Sequence, residues 1–209
     1  MCRRIRSETG IAEGVYQTTR QNHRKQHGRI RLLFERFTNF FCKMIELIQT
    51  VSTKEIDEVR ILFKEYEQSL GISLCFQNFE QELKDLPGDY ASPRGALLLA
   101  KVDSASAGCC ALRPQDKAPY SNAAEMKRLY VRPESRGKGL GARLVMSILH
   151  KAKDLGYACV ILDTLKTMED AQTLYASLGF TEIPPYYDSP MEGTKYLKLD
   201  LQSASFFQQ

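Results

Sequence analysis

The sequence predicts an α/β (α+β) fold, a mixed and mostly antiparallel central sheet with flanking helices. Three observations carry this. Alternating or β-branched apolar runs interleave with runs of helical period in the order βααβββαβαββ. Two runs, Ala96–Val102 and Gly108–Leu112, face each other across a turn near Asp103 to Ala107 and read as an antiparallel hairpin. A later run, Tyr157–Leu165, is apolar at nearly every position, as a strand covered on both faces must be. At 209 residues the chain can bury one full core.

Taken in order, residues 1–28 are polar, Arg-rich and aperiodic, which reads as disorder. From Ile30, Leu33, Phe34, Phe37, Phe40 and Phe41 fall on one helical face. That face fits a helix packed on the domain, an amphipathic targeting or membrane-surface segment, or upstream sequence foreign to the domain. His23 and His27 stand at i, i+4 without a third ligand nearby, so no metal is expected. Residues 1–43 are treated as a basic N-terminal extension, disordered or partly helical, ahead of a domain spanning 44–203.

The domain opens with an alternating strand from Ile45. Ser52 and Glu55 form a capping box for a helix with Ile56, Val59, Phe63 and Tyr66 inward, stopped at Gly71. Phe79, Leu83 and Leu86 mark a second, shorter helix ended by Pro87-Gly88. Pro114–Ala124 is a polar loop. In the strand that follows, Met126, Arg128 and Tyr130 alternate with Lys127, Leu129 and Val131, and Pro133 ends it. Leu140 to Leu155 recurs at helical spacing, with Gly156 closing the helix. Thr167 is placed to cap the helix that carries Tyr175. Thr181–Ile183 and Lys195–Leu201 complete the sheet around the loop Pro184–Gly193.

Composition narrows the function classes. No apolar run approaches the ~20 residues of a membrane helix, so no stable membrane association is expected. Residues 1–43 hold ten Lys and Arg against three acids, so the chain's net charge of +4 leaves −3 on the rest. The basic pI belongs to the extension, and no nucleic-acid partner is expected. Six cysteines form no C-x-x-C pair, and adjacent Cys109 and Cys110 should point to opposite faces of a strand. Reduced, buried thiols in a reducing, cytoplasmic compartment are the expectation.

The chemistry concentrates in Arg136-Gly137-Lys138-Gly139-Leu140-Gly141, between a strand and a helix. Glycines let successive N–H groups turn toward one point. The helix N-terminus adds partial positive charge and Arg136 and Lys138 add full charges, which makes a receptor for phosphate or pyrophosphate. One reading is a dinucleotide turn: Gly137, Gly139 and Ala142 satisfy G-x-G-x-x-G/A, and Asp163 follows about 20 residues later where a ribose-binding acid belongs. Against it, five residues separate the strand from the first glycine, and too little chain follows for further βα units.

The same stretch resembles the GNAT superfamily of N-acetyltransferases. Its R/Q-x-x-G-x-G/A signature is met by Arg136, Gly139 and Gly141. Ala171, Leu174, Tyr175, Leu178, Gly179 and Phe180 match a second family pattern downstream, and the likeness runs from about Met44 to Leu201. Since Met44 begins a stretch complete for the family, upstream sequence foreign to the domain is the favoured reading of residues 1–43. The resemblance implies that two central strands splay to admit acetyl-CoA. It places the pyrophosphate on the amides of Arg136 to Gly141, with Gly137, Lys138, Gly139 and Leu140 between. It lays the pantetheine arm along Leu129, Tyr130 and Val131.

The resemblance makes Tyr175 the general acid for the thiolate and Glu125 the candidate general base, with Asp163 as a stand-in or merely a turn residue. A phenol of pKa ~10 is protonated at neutral pH and can give its proton to sulfur. Glu125 would need its pKa raised by burial to serve. His150, near the end of the long helix, reads as a surface residue. The implied function is acetyl transfer to a primary amine of a small molecule or peptide by direct attack, since no cysteine sits in the motifs. A homodimer is compatible with it. The competing readings are a catalytically silent acyl-CoA-binding module and, more distantly, a dinucleotide-dependent oxidoreductase.

Overall fold

The computed structural model describes residues 44–204 and Phe207. The expectations for residues 1–43, including the apolar face from Ile30 and the His23–His27 pair, lie outside the described residues. The order of elements is β1 (Ile45–Gln49), α1 (Thr53–Leu70), α2 (Phe79–Asp85), β2 (Ala96–Val102), β3 (Ala105–Pro114), β4 (Ala123–Val131), α3 (Leu140–Asp154), β5 (Cys159–Leu165), α4 (Glu169–Ser177), β6 (Thr181–Ile183) and β7 (Thr194–Asp200). The expected order is therefore the observed one. The strands form one sheet in the order β1-β2-β3-β4-β5-β7-β6, antiparallel except where β4 and β5 run parallel.

Local chemistry explains most boundaries. The Ser52 hydroxyl accepts from Glu55 N while the Glu55 carboxylate accepts from Ser52 N, the reciprocal capping box that starts α1. Gly71 ends it in the left-handed region at φ 66°. The β2–β3 hairpin is tighter than expected. Asp103 and Ser104 both have positive φ, the geometry of a two-residue turn, so β3 begins already at Ala105. Thr167 does not cap α4. That helix starts at Glu169 with no side-chain cap bond; separately, Gln172 Nε2 donates to the carbonyls of Leu165 and Lys166 and ties the helix to the preceding loop.

The sheet separates two apolar layers. Val59, Leu62 and Phe63 of α1 and Phe79 of α2 pack with Leu97, Leu99 and Cys109 on one face. Leu144, Val145 and Ile148 of α3 and Tyr175 of α4 pack with Leu98, Ala100 and Cys110 on the other. The two adjacent cysteines thus face opposite layers, both free and fully buried.

The feature that matters for function is where the sheet fails to close. β4 pairs with β5 only over Ala123–Glu125 against Cys159–Ile161, although both strands continue beyond. Past that point the central strands part, as the splay implied. Residues from Met44 onward form a compact unit of their own. A fragment beginning at Met44 is therefore expected to melt within about 5 °C of the full chain. A larger fall on removing residues 1–43, seen by calorimetry, would show that they stabilise the domain.

Candidate active site

The parting strands are shaped by one bulge. Between β3 and β4 the register passes from Cys109 opposite Tyr130 to Ala111 opposite Lys127, so Cys110 alone faces Arg128 and Leu129. Arg128 takes φ 57°, a left-handed backbone unusual for a side chain of its size. The expected alternation fails there, and Lys127 and Arg128 are buried in succession. Arg128 is held as a fork: Nε donates to Glu82 Oε1 at 2.9 Å and Nη2 to Glu82 Oε2 at 2.6 Å. Its guanidinium also lies 5.1 Å from the centre of the Phe79 ring. Tyr90 donates to the same carboxylate at 2.7 Å. Burial alone would push the Glu82 pKa up, but Arg128 holds it below its usual 4.5.

Beyond β4, a short turn at Pro133–Ser135 leads into the glycine stretch. Gly137 and Gly139 stand at φ 72° and 73°, with no atom near where a Cβ would sit. Glycine is required there for backbone conformation and not for lack of space. Arg136 Nε donates to Val131 O and Lys138 Nζ to Glu134 O, each at 2.9 Å, so both cations fold back on the chain's own carbonyls. A cleft of about 970 Å³ follows, lined by Leu129, Tyr130, Val131, Arg136, Gly137, Gly139, Leu140 and Gly141. Lys138 is the one expected cofactor residue outside that lining. Tyr66 and Leu70 of α1 and Met168 and Leu174 near α4 also line the cleft.

At the open edge of the sheet a smaller cavity brings together Leu129, Tyr175, Asp163 and Lys127. Tyr175 is buried, and burial pushes its hydroxyl well above the ordinary phenol pKa, so it holds its proton. Asp163 is desolvated, which alone would raise its pKa, yet Lys127 and Arg128 hold it below the carboxylate norm. Lys127 Nζ lies 3.0 Å from Asp163 Oδ1 and 3.5 Å from Glu125 Oε1.

Glu125, the candidate general base, is buried at 1% exposure and lies outside the lining of both cavities. Its carboxylate accepts from Arg113 Nε at 2.8 Å, Tyr186 Oη at 2.9 Å, Gln115 Nε2 at 3.4 Å and Lys127. Those donors hold it at the last residue of β4 that pairs with β5. His150 stays on the helix surface, its Nδ1 2.8 Å from Met146 O.

A family model described as acetyltransferase (GNAT) family matches residues 57–180. The chain belongs to that family. An uncharacterized N-acetyltransferase of Schizosaccharomyces pombe is 40% identical over 149 residues, covering 71% of this chain and 90% of the relative. One from Dictyostelium discoideum is 31% identical, covering 71% of this chain and 96% of that one. Among solved structures, a GNAT acetyltransferase of Staphylococcus aureus superposes with a TM-score of 0.62 at 18% identity, covering 76% of this chain and 99% of its own. The PaiA N-acetyltransferase of Thermoplasma acidophilum, solved with coenzyme A, gives 0.56 at 17% identity, covering 75% and 99%. These likenesses show the GNAT fold.

Sequence reasoning missed Tyr66, Met168 and the Glu82–Arg128 pair. Tyr66 was visible only as an inward helix residue, and nothing local links Glu82 to a residue 46 positions on. Because Arg128's side chain is 2% exposed, Glu82→Ala would leave a buried charge unpaired. We expect that variant to lose about 3–5 kcal/mol in urea unfolding. The contribution of the pair should be complete above about pH 4.5 and fade as pH falls below it, since the folded pKa is the lower one. A loss below 1 kcal/mol would show that the bulge holds itself.

Proposed function

We propose that this chain transfers the acetyl group of acetyl-CoA to a primary amine of a small molecule or peptide, by direct attack while both are bound. The observation that carries the reading is a single continuous geometry: the cleft runs from two left-handed glycines at a helix start to the gap between β4 and β5. The residues fit the cosubstrate. A wide cleft begins at backbone amides suited to pyrophosphate and continues along Leu129 to Val131, whose bulged backbone is only partly engaged by β3. The PaiA protein, of the same fold, was solved with coenzyme A.

Acetyl-CoA supplies a thioester whose carbonyl carbon accepts the amine. In this reading the N–H groups near Leu129 stabilise negative charge on the carbonyl oxygen. Tyr175, still protonated, gives its proton to the departing sulfur. The amine proton leaves to water. No cysteine lines either cavity, which agrees with direct transfer. The buried free thiols Cys109, Cys110 and Cys159 agree with a cytoplasmic setting.

Release of CoA thiol from acetyl-CoA with a panel of amines tests the whole reading. CoA binding without turnover on any amine would leave a silent binding module. Gly139→Asp combines a strained backbone with a like charge beside the phosphates, and is expected to abolish CoA binding. Unchanged affinity by calorimetry in the folded variant would overturn the cradle. Tyr175→Phe should lower kcat by about 100- to 10,000-fold, about 3–5 kcal/mol of barrier, with CoA affinity and melting temperature nearly unchanged. Full turnover by that variant would assign the proton to another donor.

A further inference from the structure

We propose that Tyr66 is a second hydrogen-bond donor to the thioester carbonyl, completing with the N–H groups near Leu129 the place where negative charge collects during transfer. This rests on the transfer reading above and adds a catalytic residue of this chain to it. Tyr66, Leu129 and Met168 line both the wide cleft and the small cavity, so they form the passage between the two. Tyr175 lines only the small cavity. A thioester whose sulfur reaches the Tyr175 hydroxyl therefore lies at that passage or just beyond it, beside Tyr66 and Leu129.

Hydrogen-bond accounting points to the same residue. A buried phenol ordinarily finds an acceptor. Tyr90, Tyr157, Tyr186 and Tyr196 each donate to a protein oxygen. Among the described residues, nothing accepts from the hydroxyls of Tyr66 and Tyr175, and both line the small cavity. A bound thioester brings two acceptors, its sulfur and its carbonyl oxygen. Tyr175 is assigned to the sulfur. Tyr66, which shares the passage with Leu129, falls to the oxygen.

The charges around the cavity leave this role to dipoles. Lys127 Nζ is committed to Asp163 Oδ1 at 3.0 Å, and Arg128 to Glu82. A carbonyl oxygen has two lone pairs, one for a backbone N–H and one for the Tyr66 hydroxyl. Burial pushes that hydroxyl up to about 12, so it keeps its proton at neutral pH. The Tyr66 ring packs against the apolar layer under α1, its centre 6.2 Å from that of Tyr130 on β4. A donor fixed in this way needs little rearrangement as charge develops. When the amine nitrogen bonds to the carbonyl carbon, the C=O electron pair moves to oxygen, where Tyr66 hydrogen-bonds it without giving up the proton. The pair then returns, the C–S bond breaks and sulfur takes the Tyr175 proton. The nitrogen loses a proton to water, and water returns one to Tyr175.

The test compares wild type, Tyr66→Phe and Tyr175→Phe, each saturated with acetyl-CoA carrying carbon-13 at the carbonyl, with no amine present. The carbonyl resonance should lie downfield of free acetyl-CoA in the wild type and in Tyr175→Phe, and return part of the way in Tyr66→Phe. With an amine that the wild type acetylates, Tyr66→Phe should lower kcat by about 100- to 1,000-fold, the loss typical of one oxyanion donor, with amine KM and CoA affinity unchanged. Should that variant fail to fold, the ring carbon bearing the Tyr66 hydroxyl decides in the wild type. Its resonance should move with acetyl-CoA more than with S-ethyl-CoA, the thioether that lacks the oxygen. A carbonyl resonance indifferent to Tyr66→Phe, an undiminished kcat, or an equal response of Tyr66 to both ligands would each overturn the proposal. A resonance that answers to Tyr66 in a protein that acetylates no amine supports the donor and sinks the reaction. Transfer at full rate by Tyr66→Phe keeps the reaction and sinks the donor.

Discussion

Much of the site depends on Arg128 standing in a left-handed backbone conformation that its side chain does not favour. A single residue of that kind costs about 1–2 kcal/mol. The cost is offset by a forked pair with Glu82 and by the face of Phe79. The bulge lies on the part of β4 beyond Glu125, where β5 no longer pairs with it. The sheet opens, and the open edge becomes a wall of the cleft. Helix α2 is short, but it supplies both Phe79 and Glu82 and thereby fixes the shape of a strand on which the chemistry relies.

Where the backbone ladder is lost, side chains span the gap. Lys127 reaches from β4 to Asp163 on β5, and Glu125, at the last paired position, gathers Arg113 from β3 and Tyr186 from the β6–β7 loop. Positive and negative groups alternate through this network. Each charge is met by an opposite one, which is what makes so much ionic material tolerable inside a sheet. The arrangement is also stiff, because moving any one group strands its neighbour.

Local features were legible in the sequence because their causes are local. The Ser52–Glu55 box, the Gly71 and Gly156 stops and the glycine turn all follow from residues within a few positions of one another. The bulge was not legible. Met126 to Val131 reads as a regular alternating strand, and only the register against β3 shows that one residue is extra. The surroundings of Glu125 were not legible for a similar reason. Its partner Tyr186 is 61 positions away, and no spacing rule connects them. Thr167 was offered as a cap by residue type, but the helix starts two residues later, at Glu169, without a side-chain cap bond.

The two cations of the phosphate turn are occupied with the protein's own carbonyls, Arg136 with Val131 and Lys138 with Glu134. They shape the loop first and attract an anion second. In the proposed reading, fixed backbone dipoles meet the phosphate at contact distance, while the two cations keep their full charge and add an attraction that dissolved salt screens. A site built this way would capture a charged ligand from a distance in dilute salt and hold it chiefly by contact as the surrounding salt rises.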